Sequence, residues 1–325
     1  MGTTTEKEYK VTAFCLAFNH EKYIRKTLEG FVSQKTDFGF KVIVHDDAST
    51  DGTADIIREY AQKYPDIIIP VYQSENQYSK GVKILDRFIF PLVDTEYVMS
   101  CEGDDYWCDE NKMQMQYDFL STHPEYSLCV HNTKWIDQDG NSLDKTANPS
   151  QEDGELTAHQ IIAAGGGGLC HCSSFLYRIA DRKNMPREYL LKGMGDYPLI
   201  MHLSHIGKVY YMGRIMSAYR VGVSGGWTAT MMRNKKNHER HINEMIQYLQ
   251  RVDNFTQGRY HQSYVQAIAK YRVDAVNLGV GVWRALFDTE VRAHLKEKYP
   301  AFGKRAAFIC KSMAKGILLR LGIYK

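Results

Sequence analysis

Apolar positions in the first hundred residues fall in short runs separated by polar turns. Val11 to Phe18 (VTAFCLAF) is a continuous apolar run, the pattern of a strand buried on both faces. Ile24, Leu28 and Phe31 then recur at i, i+4 and i+7 and predict a helix. Lys41 to His45 predicts a second buried strand, and Ile57, Ala61 and Tyr64 mark a second helical face. Ile67 to Tyr72 predicts a third strand and Thr95 to Ser100 a fourth. Asp109 reads as the N-cap of a helix carrying Met113, Tyr117 and Leu120. This alternation is the signature of an α/β protein with a parallel, doubly wound sheet.

After Leu128-Cys129-Val130 the pattern changes. Trp135-Ile136, the Asp139-Gly140 turn and the polar stretch to Glu155 predict antiparallel edge structure and loop. Gly165 to Gly168 form a four-glycine tract, either plain loop or a place where backbone approaches a ligand. Ser173 to Tyr177 predicts a short strand. From Arg233 onward the signal is helical, with Ile242, Met245, Ile246, Leu249 and Val252 on one face. The expected division is a domain over 1–228 and a helical region over 229–325.

Composition narrows the function class. The 325 residues are 44% hydrophobic and 24% charged, the mixture of a soluble globular protein. A net charge of +3 is too small for a nucleic-acid partner. No apolar run of 18 residues occurs, so no transmembrane helix is expected. The opening MGTTTEKEYK is unlike a secretory signal, and Glu6 spoils the myristoylation pattern that Gly2 suggests. Seven cysteines, an odd number without a signal peptide, favour reduced thiols in the cytoplasm. Cys170-His171-Cys172 lacks the second ligand pair of a zinc site.

In open α/β sheets ligands sit beyond the carboxyl ends of the strands, and both acidic clusters fall there. In MSCEGDDYW (99–107), Glu102, Asp104 and Asp105 crowd three carboxylates together. Two carboxylates about 4 Å apart repel by about 4 kcal/mol at an effective dielectric near 20. A shared divalent cation removes that repulsion, and magnesium commonly binds through one or two carboxylates plus substrate phosphates. Glu102 and Asp104 therefore read as a clamp for Mg2+ or Mn2+ and a nucleotide diphosphate, with Asp105 in support. A solvated turn is the plain alternative. DDASTDGT (46–53) is either a strand-to-helix turn or a ligand loop; it is not a phosphatase DxDxT loop, because Ala48 and Ser49 stand where the second acid would be. No GxGxxG follows an early strand, and the glycine tract lacks the GK[ST] ending of a P-loop.

Four segments, in order, resemble glycosyltransferase family 2, the inverting enzymes with a GT-A fold. AFNHEKYI (17–24) is similar to the family's T-Y-N-x-x-x-x-L, and VIVHDDASTDGT (42–53) to V-D-D-G-S-x-D-G-T. CEGDDYW (101–107) is similar to D-x-D-D-x-W, and GMGDYPL (193–199) to E-D-x-x-L. The resemblance implies a GT-A catalytic domain over 1–228, an α/β fold with a mixed, mainly parallel sheet and helices on both faces. Phe18, Asn19, Asp46, Asp47, Ser49, Asn76, Asp105 and Arg220 would then bind the donor nucleotide. Phe18 would stack on the base, Asp47 would accept its N3–H, and Asp46 and Ser49 would shape the pocket. Asn76 lies in SENQYSKG, where Tyr78 replaces the glycine of the family's N-x-G; an exposed polar turn is the other reading. Arg220 in AYRVGVSGGW resembles Y-R-x-H without its histidine and would meet the diphosphate, or else form a surface ion pair.

Asp196 aligns with the catalytic base, although it also suits the N-cap of the helix through Leu199 and Leu203; Gly195 replaces the glutamate before it. His171 would either help bind acceptor or serve the structure. The Q-x-x-R-W signature of processive synthases is absent. The implied activity is metal-dependent, inverting, non-processive transfer from a nucleotide-diphospho-sugar, with UDP-sugar preferred, to a hydroxyl of a glycan or lipid-linked acceptor in surface polysaccharide biosynthesis. The alternative is a non-catalytic sugar-nucleotide-binding or scaffold protein, for which Glu102, Gly195 and the missing histidine speak. The tail KRAAFICKSMAKGILLRLGIYK (304–325), with six basic residues, reads as an interfacial helix on anionic lipid or as a core-packed terminal helix. The first reading places the protein peripherally at the cytoplasmic face of the membrane.

Overall fold

In the computed structural model, which describes residues 7–166, 169–191, 194–223 and 234–320, the opening apolar run becomes the strand β1 (Tyr9–Ala17). It pairs in parallel with β2 (Gly39–Asp46) and β4 (Tyr97–Ser100), and β2 pairs in parallel with β3 (Ile68–Tyr72). Helices α1 (Ile24–Val32) and α2 (Thr53–Lys63) connect these strands. Alternation along the strands decides which side chains face them. Val11, Ala13, Cys15 and Ala17 of β1 and Val42 and Val44 of β2 share one core with Ile24, Leu28, Phe31 and Ile57. Burying each large member of that set stabilises the fold by roughly 1.5–3 kcal/mol.

The rest of the sheet is mixed. Strand β9 (Leu176–Arg178) lies antiparallel between β4 and β6 (Tyr126–Ile136), and β6 is parallel to β10 (Lys208–Arg220). Strands β5 (Tyr106–Trp107) and β8 (Gly154–Leu156) pair antiparallel with β10, and β7 (Ser142–Thr146) folds back on β6 through the Asp139-Gly140 turn. The order is β3-β2-β1-β4-β9-β6-β10-β5. The ends of β2, β1 and β4 are therefore neighbours, and both acidic clusters sit on them.

Helix α3 (Lys112–Thr122) begins later than expected. Asn111 precedes it, while the Asp109 carboxylate accepts the Asn111 N–H at 2.9 Å and pairs with Arg214. An ion partner a hundred residues away has drawn the expected N-cap off the helix end.

The chain divides into two compact units. One comprises the described parts of Met1–Thr157, Gly168–Met185 and His202–Gly222, and holds the sheet together with α5 (Ile179–Lys183). The other comprises those of Ala158–Gly167, Pro186–Met201 and Val223–Lys325. It contains α4 (Ala158–Ala164), the start of α6 (Asp196–Ile206), and α7 (Lys235–Phe255), α8 (His261–Asn277), α9 (Arg284–Phe287), α10 (Thr289–Lys298) and α11 (Phe302–Arg320). The expected cut at 228/229 lies outside the described residues, and the units are drawn differently from a single cut. Hydrogen bonds give the reason: Tyr197 Oη donates to the Ile162 carbonyl at 2.9 Å, and Lys270 Nζ to that of Ala163 at 2.6 Å. Arg251 likewise donates to the carbonyls of Glu188 and Leu190, so the described parts of 158–167 and 186–201 belong with the C-terminal helices. The face expected on α7 is buried at Ile242, Met245, Leu249 and Val252. Among the described residues, no helix is long and apolar enough to cross a membrane.

Candidate active site

Beyond β1 and β2 the chain makes two tight turns that hold each other. Asn19 and Ala48 both adopt left-handed backbone, with φ of 55° and 61°. The Asn19 N–H donates to Ser49 Oγ at 2.9 Å, the Thr50 N–H to Asn19 Oδ1 at 2.8 Å, and the His20 N–H to Thr53 Oγ1 at 2.8 Å. Asn19 and Ser49 thus bind the two turns to one another. Phe18, next to Asn19, has 43% of its surface exposed, a large ring left uncovered at a strand end.

Asp46 and Asp47 are both buried but differ in partners. One Asp46 oxygen accepts the Ser49 N–H at 3.2 Å; the other, Oδ1, is buried with no hydrogen-bond partner. Asp47 uses both oxygens, accepting the backbone N–H groups of Gln77 at 2.8 Å and Tyr78 at 3.0 Å. Its carbonyl accepts Asn76 Nδ2 at 3.3 Å, and Asn76 Oδ1 accepts the Ser79 N–H at 2.7 Å. Asp47 and Asn76 therefore shape the turn of residues 76–79 and hold it at the end of β2.

The acidic segment after β4 is fastened to β1, with the Cys101 and Gly103 N–H groups donating to the carbonyls of Phe14 at 3.1 Å and Leu16 at 2.9 Å. From α1, Thr27 Oγ1 donates to the carbonyls of Gly103 at 3.0 Å and Asp105 at 2.5 Å. Position 103 admits only glycine, because a Cβ there would lie 2.6 Å from His20 Nδ1 and 3.1 Å from the Leu16 carbonyl oxygen. Glu102 and Asp104 are half-exposed on either side of it, and Asp105 is buried.

Asp105 Oδ1 accepts the Arg220 N–H at 2.8 Å, and Oδ2 lies 3.6 Å from His171 Nε2. Burial pushes the Asp105 carboxyl well up, and the Asp104 and Glu102 charges add to that, against the pull of Arg220. Burial brings His171 down to about 4, so its ring is neutral near pH 7. That ring stacks on Tyr219 at 4.2 Å, and Nδ1 lies 2.8 Å from Ser173 Oγ. His171 is thus packed between Tyr219, Ser173 and Asp105. Arg220 is buried, so it forms no surface ion pair. Its Nε donates to the Asp104 carbonyl at 2.9 Å, its Nη1 to those of Asp137 and Gln138 at 3.0 Å, and its guanidinium lies 4.4 Å from the Tyr23 ring centre.

Sequence reasoning missed His20. Its buried Nδ1 has no hydrogen-bond partner; burial lowers its pKa while the charges of Asp104, Asp51 and Asp46 oppose that. Nothing in the sequence marks it except its place beside Asn19. Among the described residues, no three metal-ligating side chains gather, at Cys170-His171-Cys172 or elsewhere. Glu102 and Asp104 offer two half-exposed carboxylates at one strand end. As a donor set they suit a hard cation that takes its remaining oxygens from phosphate and water.

In the helical unit, Asp196 is the first residue of α6, and its Oδ1 accepts the Tyr197 N–H at 2.8 Å. Burial raises its carboxyl above the ordinary aspartate range. Beside it, burial raises the Tyr271 hydroxyl, as do the charges of Asp274 and Asp196, and that hydroxyl donates to the Gly165 carbonyl at 2.6 Å. The first half of the glycine tract is thereby tethered; Gly167 and Gly168 lie outside the described residues, as do Gly193 and residues 224–227 of the quoted motifs.

Comparison with known proteins agrees with this arrangement. Residues 13–183 match the profile of Glycosyl transferase family 2. An uncharacterized protein, Rv1520, of Mycobacterium tuberculosis (strain H37Rv) is 30% identical over 223 residues, 68% of this chain and 61% of that protein. The chain thus spans less than two thirds of that relative's length. The putative teichuronic acid biosynthesis glycosyltransferase TuaG of Bacillus subtilis is 30% identical over 137 residues, 42% of this chain and 51% of TuaG. Among solved structures, Staphylococcus aureus TarS 1–349 in complex with UDP superposes with a TM-score of 0.60 at 16% identity, covering 96% of this chain and 92% of TarS 1–349. That likeness is one of fold, and the fold is the GT-A arrangement expected from the sequence.

Proposed function

This chain belongs to glycosyl transferase family 2, and from that premise we propose that it transfers single sugars, with inversion, from a UDP-sugar to a hydroxyl of a glycan or lipid-linked acceptor. The work is the building of a surface polysaccharide at the cytoplasmic face of the membrane. One observation carries the reading. An exposed aromatic ring (Phe18), an unpartnered buried carboxylate oxygen (Asp46 Oδ1) and two half-exposed carboxylates (Glu102, Asp104) occupy the ends of three adjacent parallel strands.

In this proposal the Phe18 ring stacks on the uracil face. Asp47 holds the turn of residues 76–79 through one lone pair on each oxygen and offers a remaining one to the base N3–H. Asn19, Ser49 and Asn76 keep the turns in place. Arg220 fixes the backbone of Asp104 and, through its N–H, the Asp105 carboxylate. Glu102 and Asp104 would hold Mg2+ or Mn2+, which when bound neutralises charge developing on the departing diphosphate. Asp196 takes the proton from the acceptor hydroxyl as that oxygen bonds to the anomeric carbon and the bond to the diphosphate breaks. Its raised carboxyl suits a base that must receive a proton near neutral pH.

The test is turnover of a panel of UDP-, GDP- and dTDP-sugars, with manganese or with EDTA, in wild type and Asp196→Asn. Metal-dependent release of one nucleoside diphosphate, reduced in the variant, is the expected result. Binding without release, unchanged by the substitution and by added acceptor glycans, would leave a non-catalytic binder.

A further inference from the structure

A line of buried polar side chains runs from β6 and β10 to the acidic segment. Thr133 of β6, Ser217 of β10 and Ser173 are fully buried, where an unpartnered hydroxyl is costly. Thr133 Oγ1 lies 2.9 Å from Ser217 Oγ, and Ser217 Oγ lies 2.9 Å from Ser173 Oγ. The line continues through the His171 ring, with Nδ1 2.8 Å from Ser173 Oγ and Nε2 3.6 Å from Asp105 Oδ2. It ends on the last of the three carboxylates that follow β4.

Which ring nitrogen carries the proton decides what this line does. A backbone N–H can only donate, and that of Ser173 is directed at His171 Nδ1 from 3.3 Å. Nδ1 therefore presents its lone pair, which also takes the proton of the Ser173 hydroxyl. The hydroxyls then all point one way: Ser173 Oγ accepts from Ser217, and Ser217 Oγ from Thr133. The neutral ring has one N–H, and Nε2 is the nitrogen left to carry it. Nε2 faces Asp105 Oδ2, with Cys172 Sγ farther off at 4.0 Å. Turning the ring over would set carbon against both the Ser173 donors and the carboxylate, so the same contacts fix its orientation.

Asp105 Oδ1 already accepts the Arg220 N–H. An N–H aimed at Oδ2 gives the second oxygen a donor, and a carboxylate held at both oxygens does not swing about its own bond. At 3.6 Å the contact is longer than a formed hydrogen bond, and bonds of this kind in catalytic sites tighten when substrate arrives. We propose that His171 is a positioning residue whose Nε2–H, set by the hydroxyls of Ser173, Ser217 and Thr133, holds Asp105 and so fixes the segment on which Glu102 and Asp104 would meet the cation. Its effect on the cation rests on the transferase reading above; the tautomer of its ring does not.

Two readouts test this. The first is the nitrogen-15 spectrum of the histidines in the full chain near pH 7, with His171 assigned by the signals lost in His171→Gln. A neutral ring with its proton on Nε2 is expected; a proton on Nδ1 would overturn the proposal. The second is Mn2+ affinity, titrated by calorimetry in the presence of UDP, in wild type, His171→Phe and His171→Gln. Phenylalanine keeps a ring against Tyr219 without either nitrogen, and glutamine returns an N–H donor at the reach of Nε2. His171→Phe should weaken Mn2+ binding on the order of tenfold, and His171→Gln should recover most of that loss. A residue needed only for packing would give the reverse order, because phenylalanine preserves the stack. Equal affinity in all three proteins, or a loss in His171→Gln as large as in His171→Phe, would overturn the role. Wild type that binds no Mn2+ would overturn the cation clamp of the transferase reading, and the tautomer then decides the contact between His171 and Asp105 by itself.

Discussion

The strand ends and the helical unit use polar residues in opposite ways. At the strand ends most of the motif is spent on backbone. Asn19, Ser49, Asp47, Asn76, Asp105 and Arg220 all bond main-chain groups, and Phe18 and one oxygen of Asp46 are conspicuous for being left over. In the helical unit Asp196 accepts the N–H of the next residue, and burial raises its carboxyl. A motif match therefore speaks first about a frame, and the chemistry lies with the few groups the frame does not consume.

The largest effect that would sharpen this contrast is on Asp196. Asp196→Asn should lower kcat by on the order of 10²–10⁴-fold while leaving UDP affinity unchanged. The wild-type rate should fall on the acid side above the usual aspartate range, because a base with a raised pKa gains its proton, and stops working, at higher pH. Steady-state kinetics across pH check both. Arg220→Ala comes next. It leaves the carbonyls of Asp104, Asp137 and Gln138 without their shared donor, and should cost about 3 kcal/mol in urea unfolding. Weaker donor binding with stability intact would make Arg220 a ligand contact and break the comparison.

Lys112 lies in the same unit, wholly buried, with Nζ 2.9 Å from Gln116 Oε1 and 4.0 Å from the Trp107 ring centre. Burial brings it from 10.5 down to about 7. Below pH 7 both folded and unfolded chains carry the charge, and the fold bears its full desolvation cost. Between pH 7 and 10.5 the unfolded chain holds the extra proton, so this group makes stability rise with pH. Lys112→Met should therefore stabilise by on the order of 2 kcal/mol at pH 6, with the gain shrinking toward pH 10. Denaturation at the two pH values measures it. The smallest effect is at Ala48, which holds φ of 61° where the family's pattern has glycine. Ala48→Gly should stabilise by about 1 kcal/mol, read as a shift in the unfolding midpoint.

The early strands and helices were legible because burial imposes its period directly on sequence: of the run expected over Val11 to Phe18, Val11, Ala13, Cys15 and Ala17 lie in the core with the Ile24, Leu28, Phe31 face, whereas Phe18 is exposed past the strand end. The acidic clusters were legible as strand-end features for the same reason. What escaped depends on partners distant in sequence. Arg220 is braced by carbonyls more than eighty residues away, Asp109 pairs with Arg214, and residues 158–166 join the C-terminal helices through hydrogen bonds from Lys270 and Tyr271. His20 was hidden because the groups around its ring, Gly103 and the charges of Asp104, Asp51 and Asp46, are all distant from it in sequence.

The most direct test of the account is calorimetric titration of UDP, with and without manganese, into wild type, Asp104→Asn and Asp196→Asn. The account predicts manganese-dependent binding that Asp104→Asn removes and Asp196→Asn preserves. Binding indifferent to manganese and to Asp104, or lost with Asp196, would contradict the division of labour between donor-holding strand ends and a base on α6.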